Sequence, residues 1–192
     1  MRISGGIHRS RQLAAPRGAS TRPTSDRVRE ALFSMLESRG AVAGARVVDF
    51  YAGTGALGLE ALSRGAAFAT FVESDRRALE ALGRNVDALR ERHRVRILPL
   101  PAARAATALV NDGATLVFCD PPYAQLETAA KLLATVAESH VLGPSATVVL
   151  EHASRDTPAI PSPALRPADR RDYGDTSLSF YLFEDVYTRE TS

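Results

Sequence analysis

From residue 46 to residue 151 the chain alternates short apolar runs with helical patterns, and this alternation restricts the fold more than any other feature. Residues 46–51, 67–73, 95–98, 115–119 and 146–151 read as five strands. Between them, residues 56–63 and 102–110 read as helices, as do the stripes Leu79, Leu82, Val86, Leu89 and Ala129, Leu132, Leu133, Val136. Strands joined by helices of this length pair in parallel and are covered on both faces. Upstream, Val28, Ala31, Leu32, Met35 and Leu36 share one helical face, with Thr24 or Ser25 as cap and Gly40 and Gly44 as terminators. Ser74 is placed to cap the helix after the second strand. Downstream, residues 166–173 and 177–183 flank Gly174-Asp175 and read as a tight hairpin, with Leu178, Phe180 and Leu182 alternating with Ser177, Ser179 and Tyr181. The expected architecture is α/β, a mixed sheet with an antiparallel hairpin at its end, in one domain over residues 24–192.

Composition narrows the functional class. The N-terminus lacks the apolar stretch of a secretory signal, and no run is long enough to span a membrane. One cysteine, Cys119, rules out an internal disulfide and suits a reducing cytoplasm. The four histidines are scattered without metal-ligand spacing, so no metal is expected. Charge is uneven: residues 1–30 hold seven arginines against Asp26 and Glu30, a net +5, while the remainder carries a net −3. Residues 1–23 therefore read as a basic arm, extended and partly ordered, suited to a phosphate backbone. The competing reading is an arginine-biased surface, since Lys131 is the only lysine.

The loop after the first strand, Asp49-Phe50-Tyr51-Ala52-Gly53-Thr54-Gly55-Ala56-Leu57-Gly58, contains G-x-G-x-x-G, and Glu73 ends the second strand. Such a loop admits a nucleoside-bearing cofactor to the backbone and a helix N-terminus, and the carboxylate can accept from both ribose hydroxyls. A dinucleotide-linked dehydrogenase satisfies this segment as well. Asp49, expected at the mouth of the site, would repel a pyrophosphate but suits the ammonium and sulfonium charges of S-adenosylmethionine.

Asp120-Pro121-Pro122-Tyr123 closes the fourth strand. The lone pair of a base amine is delocalised into its ring. Two acceptors aimed at its hydrogens, the Asp120 carboxylate and the Pro121 carbonyl, shift the nitrogen towards sp³ geometry and free that pair for attack on a methyl carbon. The prolines stiffen the loop, and Tyr123 can stack on an extruded base. An Asp-Pro pair alone is often no more than a turn. Cys119 falls on the opposite side of the strand and reads as structural.

With these segments assembled, the chain resembles the RsmD family of bacterial methyltransferases of the guanine N2 amine in 16S ribosomal RNA. The resemblance is carried by Arg2-Ile3-Ser4-Gly5-Gly6, residues 21–33, residues 49–66, Phe71-Val72-Glu73, Asp120-Pro121-Pro122-Tyr123 and Tyr173-Gly174-Asp175-Thr176. It implies a class I S-adenosylmethionine-dependent methyltransferase (Rossmann-like) fold with a seven-stranded mixed sheet. It also implies a substrate in the partly or fully assembled small ribosomal subunit. The sequence is silent on oligomeric state, and monomer is the default. The expected catalytic residues are Asp120, Pro121 and Tyr123. Cofactor contacts are expected from Asp49, Tyr51, Ala52, Gly53, Gly55, Glu73, Ser74 and Ala102, and substrate contacts from Arg22, Thr24, Arg29 and Pro122. Residues 99–103 depart from the pattern, offering no polar side chain to read adenine and leaving that task to backbone near Ala102. The alternatives are a DNA adenine-N6 or cytosine-N4 methyltransferase, for which 192 residues leave little room for target recognition, and a catalytically inactive RNA-binding protein.

Overall fold

The computed structural model describes residues 1–15, 26–159 and 162–184. Arg22 and Thr24, and the proposed Thr24 or Ser25 cap, lie outside these residues.

Seven strands form one sheet: β1 Arg46–Phe50, β2 Phe68–Glu73, β3 Val95–Pro99, β4 Ala114–Cys119, β5 Leu142–Ala153, β6 Leu165–Tyr173 and β7 Thr176–Phe183. Among the described residues five α-helices accompany them: α1 Asp26–Ser38, α2 Ala56–Ser63, α3 Arg76–Leu89, α4 Ala102–Ala108 and α5 Leu126–Glu138. The order β3-β2-β1-β4-β5-β7-β6 is the expected mixed sheet, parallel from β3 to β5 and antiparallel at β5–β7 and β7–β6. The chain winds outward from β1 through β3, then crosses to β4 and winds the other way. The crevice between the carboxyl ends of β1 and β4 is thus the switch point where α/β sheets bind ligands.

Two apolar layers sandwich the sheet. α1, α2 and α3 contribute Leu32, Phe33, Leu36, Leu59, Leu62, Leu82 and Val86 to one. α4 and α5 contribute Ala105, Leu132, Leu133 and Val136 to the other. Burying side chains of this kind is worth about 1.5–3 kcal/mol each for the larger aliphatics, which is why the two helical stripes dominate the fold. β7 corrects the simple alternation expected of it. Lying between β5 and β6 rather than at the edge, it buries Ser177, Ser179 and Tyr181 as well as Leu178 and Phe180. Its serines are satisfied inside the sheet: Ser179 Oγ bonds His152 Nε2 at 2.9 Å, and Ser177 Oγ pairs with Asp172.

Of the arm expected over residues 1–23, extended and partly ordered, the first 15 residues are described, and they fold onto the domain rather than extend from it. Arg2 bridges Gln12, Gly6–His8 form a 3-10 turn, and Ile3 and Leu13 are buried in the core. Glu60, fully buried in α2, accepts from Ser4 N and Gly5 N, both at 2.8 Å. Its carboxylate also meets Ser4 Oγ at 2.8 Å, Arg64 Nε at 2.8 Å and Arg29 Nε at 3.4 Å. His8 Nε2 lies 2.6 Å from Glu91, which Arg94 also contacts.

Candidate active site

The glycine loop bends as its sequence requires. Gly53 and Gly55 adopt φ of 56° and 82°, and Gly55 caps α2. A Cβ on Gly55 would meet Leu82 Cδ1 at 2.4 Å, and one on Gly58 would meet Phe71 Cε1 at 2.3 Å. The first pair of glycines therefore makes the turn, and the third lets α2 pack against β2. Tyr51 also has positive φ, 59°, and its phenol is pushed above its ordinary range by burial and the neighbouring Cys119. Ala52 is buried and donates to the Val72 carbonyl at 3.1 Å, which ties the loop to β2.

Strand register sets the site's layout. Phe50 is level with Val72 in β2 and with Cys119 in β4, while Cys119 is level with Leu150 in β5. The next residues, Glu73, Tyr51, Asp120 and Glu151, consequently form a row across the carboxyl edge of the sheet. Neighbouring strands are ~4.8 Å apart, so Asp120 and Glu73 stand roughly 10 Å apart across the crevice. That separation suits a methyl acceptor on one side and a ribose on the other.

Glu73 is organised by backbone donors: Gly53 N at 2.8 Å, Ser74 N at 2.7 Å and Asp75 N at 2.7 Å. A carboxylate has about four lone-pair positions, so this arrangement leaves roughly one for a ligand hydroxyl, fewer than the two expected. Ser74 is exposed, and the cap of α3 is Asp75, whose carboxylate accepts from Ala78 N at 2.8 Å. The expectation that Ser74 caps this helix is corrected by one residue.

Asp49 is not at the mouth. It is 1% exposed and accepts from Gly58 N at 3.0 Å, beneath the loop. Burial, partly countered by that bond and reinforced by the Glu73 charge, pushes its carboxyl up to about 7. Arg29 requires a second correction. It is braced by Asp26, Glu60 and the Arg2 carbonyl and is 1% exposed, so its guanidinium does not reach the surface where a phosphate would lie. Its role is to neutralise Glu60 inside the fold.

In the catalytic loop, Pro121 is buried while Pro122 and Tyr123 are exposed. The Tyr123 hydroxyl lies 3.2 Å from Thr176 Oγ1 at the start of β7, which holds the ring at the rim by its far end. The Tyr173–Thr176 turn thus supports the loop, a role that the sequence alone did not assign. Cys119 is buried, and burial together with Asp120 and Asp49 raises its thiol well above the ordinary value, so it stays protonated. Ala102 is buried at the start of α4, so its side chain belongs to the core.

Asn85 was missed. It is buried in α3, accepts from Ala14 N at 2.7 Å, and donates to the Thr54 carbonyl at 2.9 Å and the Ala14 carbonyl at 3.1 Å. It joins the N-terminal segment to the glycine loop. Its signal was present, because a polar residue interrupts the Leu82, Val86, Leu89 stripe.

A groove of about 670 Å³ lies at the opposite, amino-terminal edge of the sheet, lined by Arg39, Thr115, Thr147 and Arg166 among others. It holds none of the motif residues, so volume does not locate the chemistry. Among the described residues no group of three or more metal-ligating side chains occurs, and no helix is long and apolar enough to cross a membrane.

Comparison with known proteins agrees with this layout. The family described as Conserved hypothetical protein 95 matches residues 1–182. Ribosomal RNA small subunit methyltransferase D of Haemophilus influenzae is 31% identical over 162 residues, covering 83% of this chain and 82% of that one. The Escherichia coli protein of the same name is 42% identical over 125 residues, covering 64% of this chain and 60% of its own length. A solved structure of a hypothetical protein from Thermus thermophilus superposes with a TM-score of 0.78 at 33% identity, covering 94% of this chain and 98% of that one. The sheet order, the switch-point site and these matches together place the chain in the RsmD family of methyltransferases, with the class I S-adenosylmethionine-dependent methyltransferase fold.

Proposed function

We propose that the protein transfers a methyl group from S-adenosylmethionine to the exocyclic N2 amine of a guanine in 16S rRNA, within a partly or fully assembled small ribosomal subunit. The observation that carries the reading is the row at the sheet edge, where Asp120-Pro121-Pro122-Tyr123 faces the glycine loop and Glu73 across the switch point. The named relatives support ribosomal RNA as the substrate class.

The residues fit the donor. Gly53 and Gly55 bring bare backbone to its nucleoside, Glu73 keeps an acceptor position for a ribose hydroxyl, and Asp49 lies beneath the loop, where a cationic donor would favour its ionised form. Tyr51, Ala52 and Ser74 would form the surrounding wall, and backbone near Ala102 would read the adenine. When bound, the donor supplies an electrophilic methyl whose carbon–sulfur bond breaks with its electron pair going to sulfur. The protein's part is orientation. Asp120 and the Pro121 carbonyl hold the two amine hydrogens, Tyr123 and Pro122 take the ring face, and the departing amine proton passes towards Asp120. Arg22 and Thr24 are the proposed contacts to the RNA.

Methyl-labelled donor with three acceptors, naked 16S rRNA, small subunits lacking the modification, and duplex DNA, tests this reading. Label in N2-methylguanosine of the RNA or particle supports it. Label in N6-methyladenine or N4-methylcytosine of DNA contradicts it.

A further inference from the structure

We infer that Glu151 is the residue that selects guanine, by accepting the ring N1–H that flanks the reacting amine; this rests on the proposed guanine-N2 activity. Leu150 is level with Cys119 in the parallel β4–β5 pair, so Glu151 is the strand neighbour of Asp120, ~4.8 Å away along the row. Phe118 and Val149, two residues before each, share one core layer, so Asp120 and Glu151 project to the same side of the sheet. Glu151 lines a crevice together with Pro121 and Tyr123. It is 8% exposed and sits opposite Leu178 of β7.

The chemistry of the bases says what it does there. In guanine the N2 amine is flanked by N1–H, a donor. In adenine the N6 amine is flanked by N1, and in cytosine the N4 amine by N3, both acceptors. Asp120 and the Pro121 carbonyl treat all three amines alike. An acceptor one strand further on does not: it gains a hydrogen bond from guanine and faces a lone pair in the other two. Sites built to pair a ring N–H reject analogues that lack it far more strongly than sites that sense shape alone.

The test uses RNA carrying guanine, or 2-aminopurine, at the methylated position. 2-Aminopurine keeps the N2 amine but has a bare N1. The unaltered protein should methylate guanine in preference by about tenfold or more. Glu151→Met, which keeps the volume and removes the acceptor, should bring that ratio close to one by losing guanine activity alone. Glu151→Gln, whose amide oxygen still accepts, should retain part of it. Thermal melting and donor affinity measured on both variants separate folding from selection. If Glu151→Met slows guanine and 2-aminopurine equally, or changes neither, while guanine remains the wild-type target, the selection role is overturned and the guanine-N2 reading stands. Methylation of adenine N6 or cytosine N4 by the unaltered protein would overturn both.

Discussion

Asn85 Nδ2 donates to the Thr54 carbonyl at 2.9 Å, fastening the glycine loop to α3 from below. The same side chain holds both backbone groups of Ala14. The N-terminal segment and the cofactor loop are therefore braced by one buried amide, and ordering one favours order in the other.

Replacing Asn85 by Leu removes three part-buried hydrogen bonds, one to the Thr54 carbonyl and two to the backbone of Ala14. At about 0.5–1.5 kcal/mol for each bond lost, stability should fall by roughly 2–4 kcal/mol in chemical denaturation. Donor KM should rise, and amide exchange should quicken in residues 1–15 as well as in the loop. Faster exchange confined to α3 would argue against the brace.

Arg29 should behave as a core residue. Removing one partner of a buried ion pair costs about 3–5 kcal/mol, less where another cation remains, and Arg64 remains beside Glu60. Arg29→Ala should lower the melting temperature clearly while leaving the salt dependence of RNA binding unchanged. A flatter salt slope would return Arg29 to the phosphate contacts.

Asp49 makes stability depend on pH in an unusual direction. Its carboxyl is raised from 3.8 to about 7, chiefly by burial. Between those values the unfolded chain has released a proton that the folded protein keeps, so this group's contribution to stability falls as pH rises from about 4 to about 7 and levels off above. Asp49→Asn should remove that slope. A cationic donor favours the ionised form, so wild-type affinity should strengthen as pH rises towards about 7, with proton release seen by calorimetry in buffers of different ionisation enthalpy. Affinity indifferent to pH in this range would separate Asp49 from the bound charge.

Gly58→Ala should destabilise by about 1–3 kcal/mol, because its Cβ falls 2.3 Å from Phe71 Cε1 and the ring must move. Gly40→Ala is the contrast: φ there is +66° but nothing lies within 4 Å, so only backbone strain opposes it. Urea midpoints of the two variants distinguish packing from strain.

The sequence made the sheet legible because each strand is a short apolar run and each helix carries an apolar stripe. The glycine loop and Asp120-Pro121-Pro122-Tyr123 were legible because their chemistry is local. What escaped involves partners far apart in the chain. Arg29 looks like the neighbouring surface arginines until Glu60, 31 residues away, is found beside it in the core. Glu73 looks available to two hydroxyls until the N–H of Gly53, 20 residues away, joins those of its neighbours Ser74 and Asp75 on the carboxylate. Asp49 looks like a rim residue until β2, β4 and α2 enclose it. Each reverses an expectation about what a side chain is free to meet, and that depends on the whole fold.

The most direct test of the central claim, that Asp120 acts on the reacting amine rather than on the fold, is single-turnover methyl transfer by Asp120→Ala with donor affinity measured on the same sample. Transfer should fall by about two orders of magnitude or more while the donor dissociation constant and the melting temperature stay near those of the wild type. Transfer within a few-fold of wild type, or loss of donor binding in step with activity, would contradict it.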